Sequence, residues 1–153
     1  MQKVLISACL LGHNTKYNGG NNYKEEVKQL ASFCEFIVIC PEMDGGLSCP
    51  RVPAEINGSK VINKKAVDVT EAYLKGANHA LNLALSNGVK YAILKEKSPS
   101  CGVKQIYDGT FTGTKINGSG ITTRLLARNG IVVFNEDEVQ NLLDILKGNK
   151  EKE

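Results

Sequence analysis

Three observations predict a single α/β domain: a three-layer, Rossmann-like fold with a mostly parallel sheet and its ligand site at the carboxyl ends of the strands. Four short runs, at 3–7, 35–39, 91–94 and 131–134, are continuously apolar rather than alternating, as strands buried on both faces are. Segments with helical spacing separate and follow these runs, and such alternation makes a parallel sheet covered on both sides. The 153 residues, 42% apolar and 23% charged, can bury one core without disulfides or a structural metal.

The first strand, 3–7, leads through Ala8-Cys9-Leu10-Leu11-Gly12 into a polar, glycine-rich loop over 13–22. From 23 to 33, Val27, Leu30 and Ala31 fall at helical spacing with Lys24, Glu25, Glu26 and Lys28 on the other face, which predicts a helix. The β-branched strand 35–39 runs directly into Cys40-Pro41-Glu42. Residues 41–59, with Gly45-Gly46, Pro50, Pro53 and Gly58, read as one long loop, and a loop of that length in a compact domain is usually functional. Lys60-Val61-Ile62 reads as a short edge strand.

Asp68 or Thr70 caps a helix over 69–86 whose Tyr73, Leu74, Ala77, Ala80, Leu81 and Ala84 form an apolar stripe, ended by Asn87-Gly88. Strand 91–94 breaks into Lys95-Glu96-Lys97 and then Ser98-Pro99-Ser100-Cys101-Gly102. Pro99 biases Ser98 away from the helical region and Gly102 permits a sharp turn, so Cys101 is presented rather than packed. Residues 106–120 are turn-rich and predict a small hairpin. Thr122 or Ser119 caps the next helix, closed by Asn129-Gly130. After strand 131–134, Asn135 caps a last helix through Leu142, Leu143, Ile145 and Leu146. The domain spans 1–148, and 149–153 reads as a disordered tail.

Composition removes several function classes. The formal charge of +3 is small and the lysines form no basic stripe, so no nucleic-acid partner is expected. No apolar run approaches the ~20 residues that span a bilayer, and the N-terminal apolar stretch is too short for a signal peptide. A cytoplasmic protein without a membrane partner is expected; the residues fix no oligomeric state. Five cysteines in a reducing compartment point to ligand or catalytic use.

Loops leaving the carboxyl ends of parallel strands share one edge, where ligands bind. Cys9, Cys40 and Cys101 each follow such a strand end closely, so they gather there although distant in sequence. Three thiolates suit zinc, or an iron–sulfur cluster with one iron lacking a protein ligand. No C-x-x-C knuckle supplies the usual closure of a structural zinc site. Whether Cys49 or His13 adds a ligand stays open, as does simple packing of one or more thiols. Cys34 reads as a small apolar filler and His79 as a surface or packing residue.

Glu42, just after Cys40-Pro41, stands at the same edge, where partial burial suits proton transfer. Glu55 reads as structural, binding backbone amides or Arg51. Ser98 or Ser100 positions a water or donates a hydrogen bond. A serine hydrolase is unsupported without a G-x-S-x-G elbow, as is dinucleotide binding without G-x-G-x-x-G after a strand.

With these residues in view, the chain resembles the bacterial domain-of-unknown-function family that includes the 2-thiouracil desulfurases. The likeness rests on Ser7 to Gly12, Cys40-Pro41-Glu42 with Gly45-Gly46-Leu47, Pro50-Arg51-Val52-Pro53-Ala54-Glu55, Asp68-Val69-Thr70, Gly76-Ala77, Lys95 through Gly102, and Ile106-Tyr107-Asp108-Gly109. It covers essentially the whole domain. The resemblance implies a [4Fe-4S] cluster held by Cys9, Cys40 and Cys101 with one iron free of protein ligands. It also implies acid–base or substrate-orienting work by Glu42 and Ser98, and a small thiolated compound as partner. The implied reaction is non-redox hydrolysis: the free iron polarises a thiocarbonyl, water guided by Glu42 attacks, and hydrogen sulfide leaves.

Family members usually carry an arginine and an aspartate in the loop that here reads Lys16-Tyr17-Asn18-Gly19. An amide can donate as well as accept, so the hydrogen-bonding code toward substrate differs. Ser7, Lys16, Tyr17, Asn18 and Ser100 are the candidate substrate-loop residues. The expectation is thus an iron–sulfur-dependent desulfidase for a thiouracil-like base. Its rivals are a non-catalytic module carrying zinc or persulfide on the same cysteines, and an interaction domain whose cysteines only pack.

Overall fold

In chain order, the computed structural model, which describes residues 1–151, contains strand β1 (Gln2–Ser7), strand β2 (Cys34–Ile39), helix α1 (Pro41–Asp44), strands β3 (Ala54–Asn57) and β4 (Lys60–Asn63), helix α2 (Thr70–Ser86), strand β5 (Tyr91–Leu94), strands β6 (Gln105–Tyr107) and β7 (Lys115–Asn117), helix α3 (Ile121–Arg128), strand β8 (Val132–Asn135) and helix α4 (Val139–Glu151). The four apolar runs pair in parallel, in the order β2-β1-β5-β8. Successive side chains alternate between the faces. Val4, Ile6 and Ile93 pack with Val27, Leu30, Leu142 and Leu146 on one side. Leu5, Ala92 and Leu94 pack with Ala80, Ala84 and Leu126 on the other. The result is the three-layer α/β fold expected.

The strand order places the site. The chain leaves β1 for β2 on one side and returns to β5 on the other, so the connections part above the ends of β1 and β5. Such a switch point opens a crevice at the carboxyl edge of the sheet.

Several elements differ from the sequence reading, each for a local reason. Segment 23–33 is a 3-10 helix over Glu25–Ser32, because only Val27 and Leu30, three apart, face inward while Ala31 is exposed. Cys34 starts β2 instead of ending that segment. Its thiol donates to the Leu30 carbonyl at 3.3 Å, and burial pushes its pKa up to about 11, as suits a filler. Residues 41–59 are not one loop. Pro41, at the first helical position, starts α1, and β3 pairs antiparallel with β4 across Gly58, whose φ is 64°. The prolines hide that hairpin from a pattern reading.

Val69, not Asp68 or Thr70, occupies the N-cap of α2: Asp68 Oδ1 accepts the Thr70 amide from one position further out, and Thr70 Oγ1 accepts the Val61 amide. Gly120, not Thr122 or Ser119, occupies the N-cap of α3, because both hydroxyls turn to the Cys101 loop: Thr122 to Ser100 and Ser119 to the Val103 carbonyl. Asn135 forms the expected cap, with a reciprocal bond from its own amide to Glu138. Helix α4 continues through residues 149–151, which the sequence reading placed in the tail. Lys147 and Lys150 lie over the Phe33 ring and Asn149 donates to Gln2 Oε1. The last two residues of that expected tail, 152 and 153, lie outside the described residues.

The turn carrying Cys40 and Glu42 rests on α2 through two glycines. A Cβ on Gly76 would lie 1.8 Å from the Pro41 carbonyl oxygen, and one on Gly45 would lie 2.0 Å from that of Ala72. Gly→Ala in a helix interior ordinarily stabilises by ~1 kcal/mol. At Gly76 the sign reverses, since backbone must move and such overpacking costs ~1–3 kcal/mol or more. Gly76→Ala is expected to lower the melting temperature by several degrees, at ~2–4 °C per kcal/mol. Gly148→Ala, with open space around its Cβ, should raise it slightly.

Candidate metal centre

A cavity of about 590 Å³ opens at the carboxyl edge of the sheet, lined by Cys9, Cys40 and Cys101 together with Glu42. Cys9 lies in the 3-10 turn Ala8–Leu11 that follows β1. Cys40 precedes α1, with its amide donating to Asp44 Oδ2 (3.2 Å). Cys101 sits in the tight turn after β5. Ser98 Oγ accepts the amides of Ser100 (3.0 Å) and Cys101 (3.1 Å), and the Thr123 hydroxyl donates to the Cys101 carbonyl (2.9 Å).

Burial raises the pKa of all three thiols, Cys101 farthest; Cys9 also feels the charge of Cys40, and Cys101 that of both Cys9 and Cys40. A hydrogen bond counters that burial at each thiol, from the Asn22 side chain at Cys9, the Met43 amide at Cys40 and the Ser7 hydroxyl at Cys101, and the charges of Lys95 and Arg51 add to it at Cys9 and Cys40. Donors to sulfur at each cysteine favour the thiolate, the form a metal needs.

The Cys101 turn is anchored by Glu96. Its buried carboxylate accepts the amides of Lys97 (3.2 Å), Val103 (2.7 Å), Lys104 (2.9 Å) and Gln105 (3.0 Å), and the Asn135 side chain (2.8 Å). These bonds hold its pKa below the usual carboxylate value although burial opposes them. Glu55 is likewise structural, accepting the amides of Gly109 and Phe111.

Glu42 is fixed from three directions. Arg51 Nε (3.1 Å) and the Tyr73 hydroxyl (2.8 Å) donate to Oε2, and the Ser98 hydroxyl (3.1 Å) donates to Oε1. Arg51 therefore pairs with Glu42, not Glu55. It also donates to the Thr15 carbonyl (2.9 Å), which ties the 13–22 loop to the same carboxylate. Tyr73 reads from the sequence as stripe packing only; a buried tyrosine hydroxyl still requires a partner, and that requirement is the signal for its role.

The remaining candidates divide. Ser7, Lys16 and Tyr17 line the cavity, and Asn22 and Lys95, which the sequence reading gave no role, line it too. Asn18 does not; its Oδ1 accepts the Gly20 amide (2.9 Å) and shapes the loop. Ser100 is fully buried against Thr122 (2.8 Å), away from the cavity. His13 and Cys49 are not on the lining. The Cys49 thiol donates to the carbonyls of Asn14 (3.1 Å) and Lys16 (3.3 Å), bracing the loop.

The donor set fits an iron–sulfur cluster. Three soft thiol ligands share one cavity, and neither Cys49 nor His13 reaches it to complete a closed site. Among the described residues no three His, Cys, Asp or Glu side chains are grouped closely enough to hold a single metal ion. Nor does any helix of the described residues have the length and apolarity to cross a membrane.

Comparison with known proteins agrees with this arrangement. The profile of a family described as 2-thiouracil desulfurase matches residues 4–138. The chain is 41% identical to the uncharacterized protein YbbK of Bacillus subtilis (strain 168), over 92% of this chain and 99% of that protein. It is similar to the solved structure of the [4Fe-4S]-dependent thiouracil desulfidase TudS (DUF523Vcz), with a TM-score of 0.91 and 42% identity, covering 96% of this chain and 99% of the other.

Proposed function

Because this chain belongs to the 2-thiouracil desulfurase family, we propose that it is a [4Fe-4S]-dependent desulfidase. It takes sulfur from a small thiolated compound, a thiouracil-like base, by non-redox hydrolysis with release of sulfide. The observation that carries this reading is the sharing of one cavity by Cys9, Cys40, Cys101 and Glu42. The three cysteines would hold the cluster, which when bound would supply a Lewis-acidic iron, free of protein ligands, toward a thiocarbonyl sulfur.

The protein's own groups bring the water and hold the substrate. Glu42 Oε2 is occupied by Arg51 and Tyr73, whereas Oε1 receives only the Ser98 hydroxyl. Oε1 therefore keeps lone-pair capacity and is the atom that takes a proton from water. Ser98 orients it: the hydroxyl hydrogen goes to Oε1 while its lone pairs hold the Cys101 turn. Tyr73 acts as a fixed donor, because burial first and the adjacent Glu42 second push its pKa far above the tyrosine range. Ser7, Lys16 and Tyr17 line the same cavity and are the groups read as contacting substrate. We read the enzyme as cytoplasmic, where thiols stay reduced.

The test is anaerobic reconstitution, with iron and acid-labile sulfide counted and a thiouracil supplied. Brown protein that releases sulfide and the corresponding oxo base is the expected result. A fully loaded protein that leaves every thiobase untouched would sink the desulfidase reading, and a colourless zinc-loaded protein would favour the binding module.

A further inference from the structure

Two systems of charge reach the cavity, from different ends of the sheet. Glu42 and Arg51 come from the β2 side. Lys95 and its partner come from β5 and β8, and the mechanism above leaves them unused. The Lys95 amide donates to Ser7 Oγ (3.0 Å), which fixes the origin of the side chain at the crevice between β1 and β5. Its ammonium stands 2.6 Å from Glu136 Oε2 and donates to the Glu96 carbonyl (3.3 Å). Glu136 is itself held, its Oε1 accepting the Glu96 amide (2.8 Å).

Lys16, Lys64 and Lys97 also line the cavity, but among the described residues none of them is held by a carboxylate. A donor that stabilises developing charge works best when fixed beforehand; Arg51 and Lys95 are the cavity cations held by carboxylates, and Arg51 already spends its donors on Glu42, Ser48 and Thr15.

We propose that the Lys95 ammonium is a second catalytic group, which receives the negative charge of the departing sulfur while Glu42 handles water. The proposal rests on the desulfidase reading. Overall, a thiocarbonyl and water give a carbonyl and hydrogen sulfide. The C–S bond breaks with its electrons on sulfur, the new C–O bond comes from water, and the two hydrogens of water balance the sulfide. Lys95 keeps its proton throughout, contributing a donated hydrogen bond and a fixed charge in a partly desolvated site. No oxidant or reductant enters.

The experiment compares Lys95→Met and Lys95→Arg with the parent, each loaded anaerobically. Lys95→Met should keep its iron but lose roughly 10²-fold in kcat, the usual cost of one such donor, with KM changed little. Lys95→Arg should retain most of the activity. The midpoint potential of the loaded cluster should fall in Lys95→Met, because a nearby cation favours the more negative reduced form; a purely structural lysine would leave it unmoved. If Lys95→Met fails to fold with Glu136 unpaired, the Lys95→Met/Glu136→Gln double variant removes both charges and must show the same loss of kcat. Loaded variants with unchanged kcat and potential overturn the role of Lys95 and leave the desulfidase reading standing. A parent protein with neither cluster nor turnover removes both.

Discussion

A Cys101→Ser protein is expected to fold but to retain almost no cluster iron. The turn that presents this residue is built by others: Ser98 holds the Ser100 and Cys101 amides, Glu96 holds four amides around it, and Thr123 holds the Cys101 carbonyl. A serine hydroxyl fits the cysteine's place and can bond to Ser7, so little stability is lost. It is, however, a hard and weakly acidic ligand where a soft thiolate is required. Neither Cys49 nor His13 reaches the cavity to substitute. Cys9→Ser and Cys40→Ser should behave alike, whereas Cys34→Ser, at the opposite end of β2 from Cys40 and bonded to Leu30, should leave the visible absorption intact. Iron counts on anaerobically loaded proteins decide the matter: full loading of Cys101→Ser would overturn the ligand assignment.

Glu42→Gln is expected to keep the cluster and most of the melting temperature but to lose at least ~100-fold in thiobase turnover, within the range for a lost general base. The amide matches the carboxylate in size. Its oxygen, placed at the Oε2 position, still accepts from Arg51 and Tyr73. Its NH₂ then faces the Ser98 hydroxyl, which already accepts two amides, so one hydrogen bond worth ~1 kcal/mol is compromised. A 100-fold rate loss corresponds to ~2.7 kcal/mol in the barrier, well beyond that local cost. An amide also cannot take a proton from water. Near-normal turnover in a loaded Glu42→Gln protein would assign Glu42 to loop architecture.

What the sequence by itself determined is the layered fold and the gathering of Cys9, Cys40 and Cys101. Apolar runs too short for helices, alternating with helical segments, fit strands covered on both faces, and the carboxyl ends of parallel strands share an edge. Short elements were less legible. The β3–β4 hairpin hides behind prolines, and the 3-10 segment differs from an α-helix only in the inward pair Val27 and Leu30. The tertiary structure alone decided the partnerships around the candidate metal centre. Arg51 lies within reach of both Glu42 and Glu55 along the chain, yet pairs with Glu42. Tyr73 turns its hydroxyl to that same carboxylate across 31 residues, and Glu136 comes 40 residues from Glu96 to support Lys95. Periodicity reports which face of an element is buried, because burial of apolar area is non-directional and adds along the chain. Which buried donor meets which acceptor depends on direction and on separations of a few tenths of an ångström, and those exist only once the layers have packed.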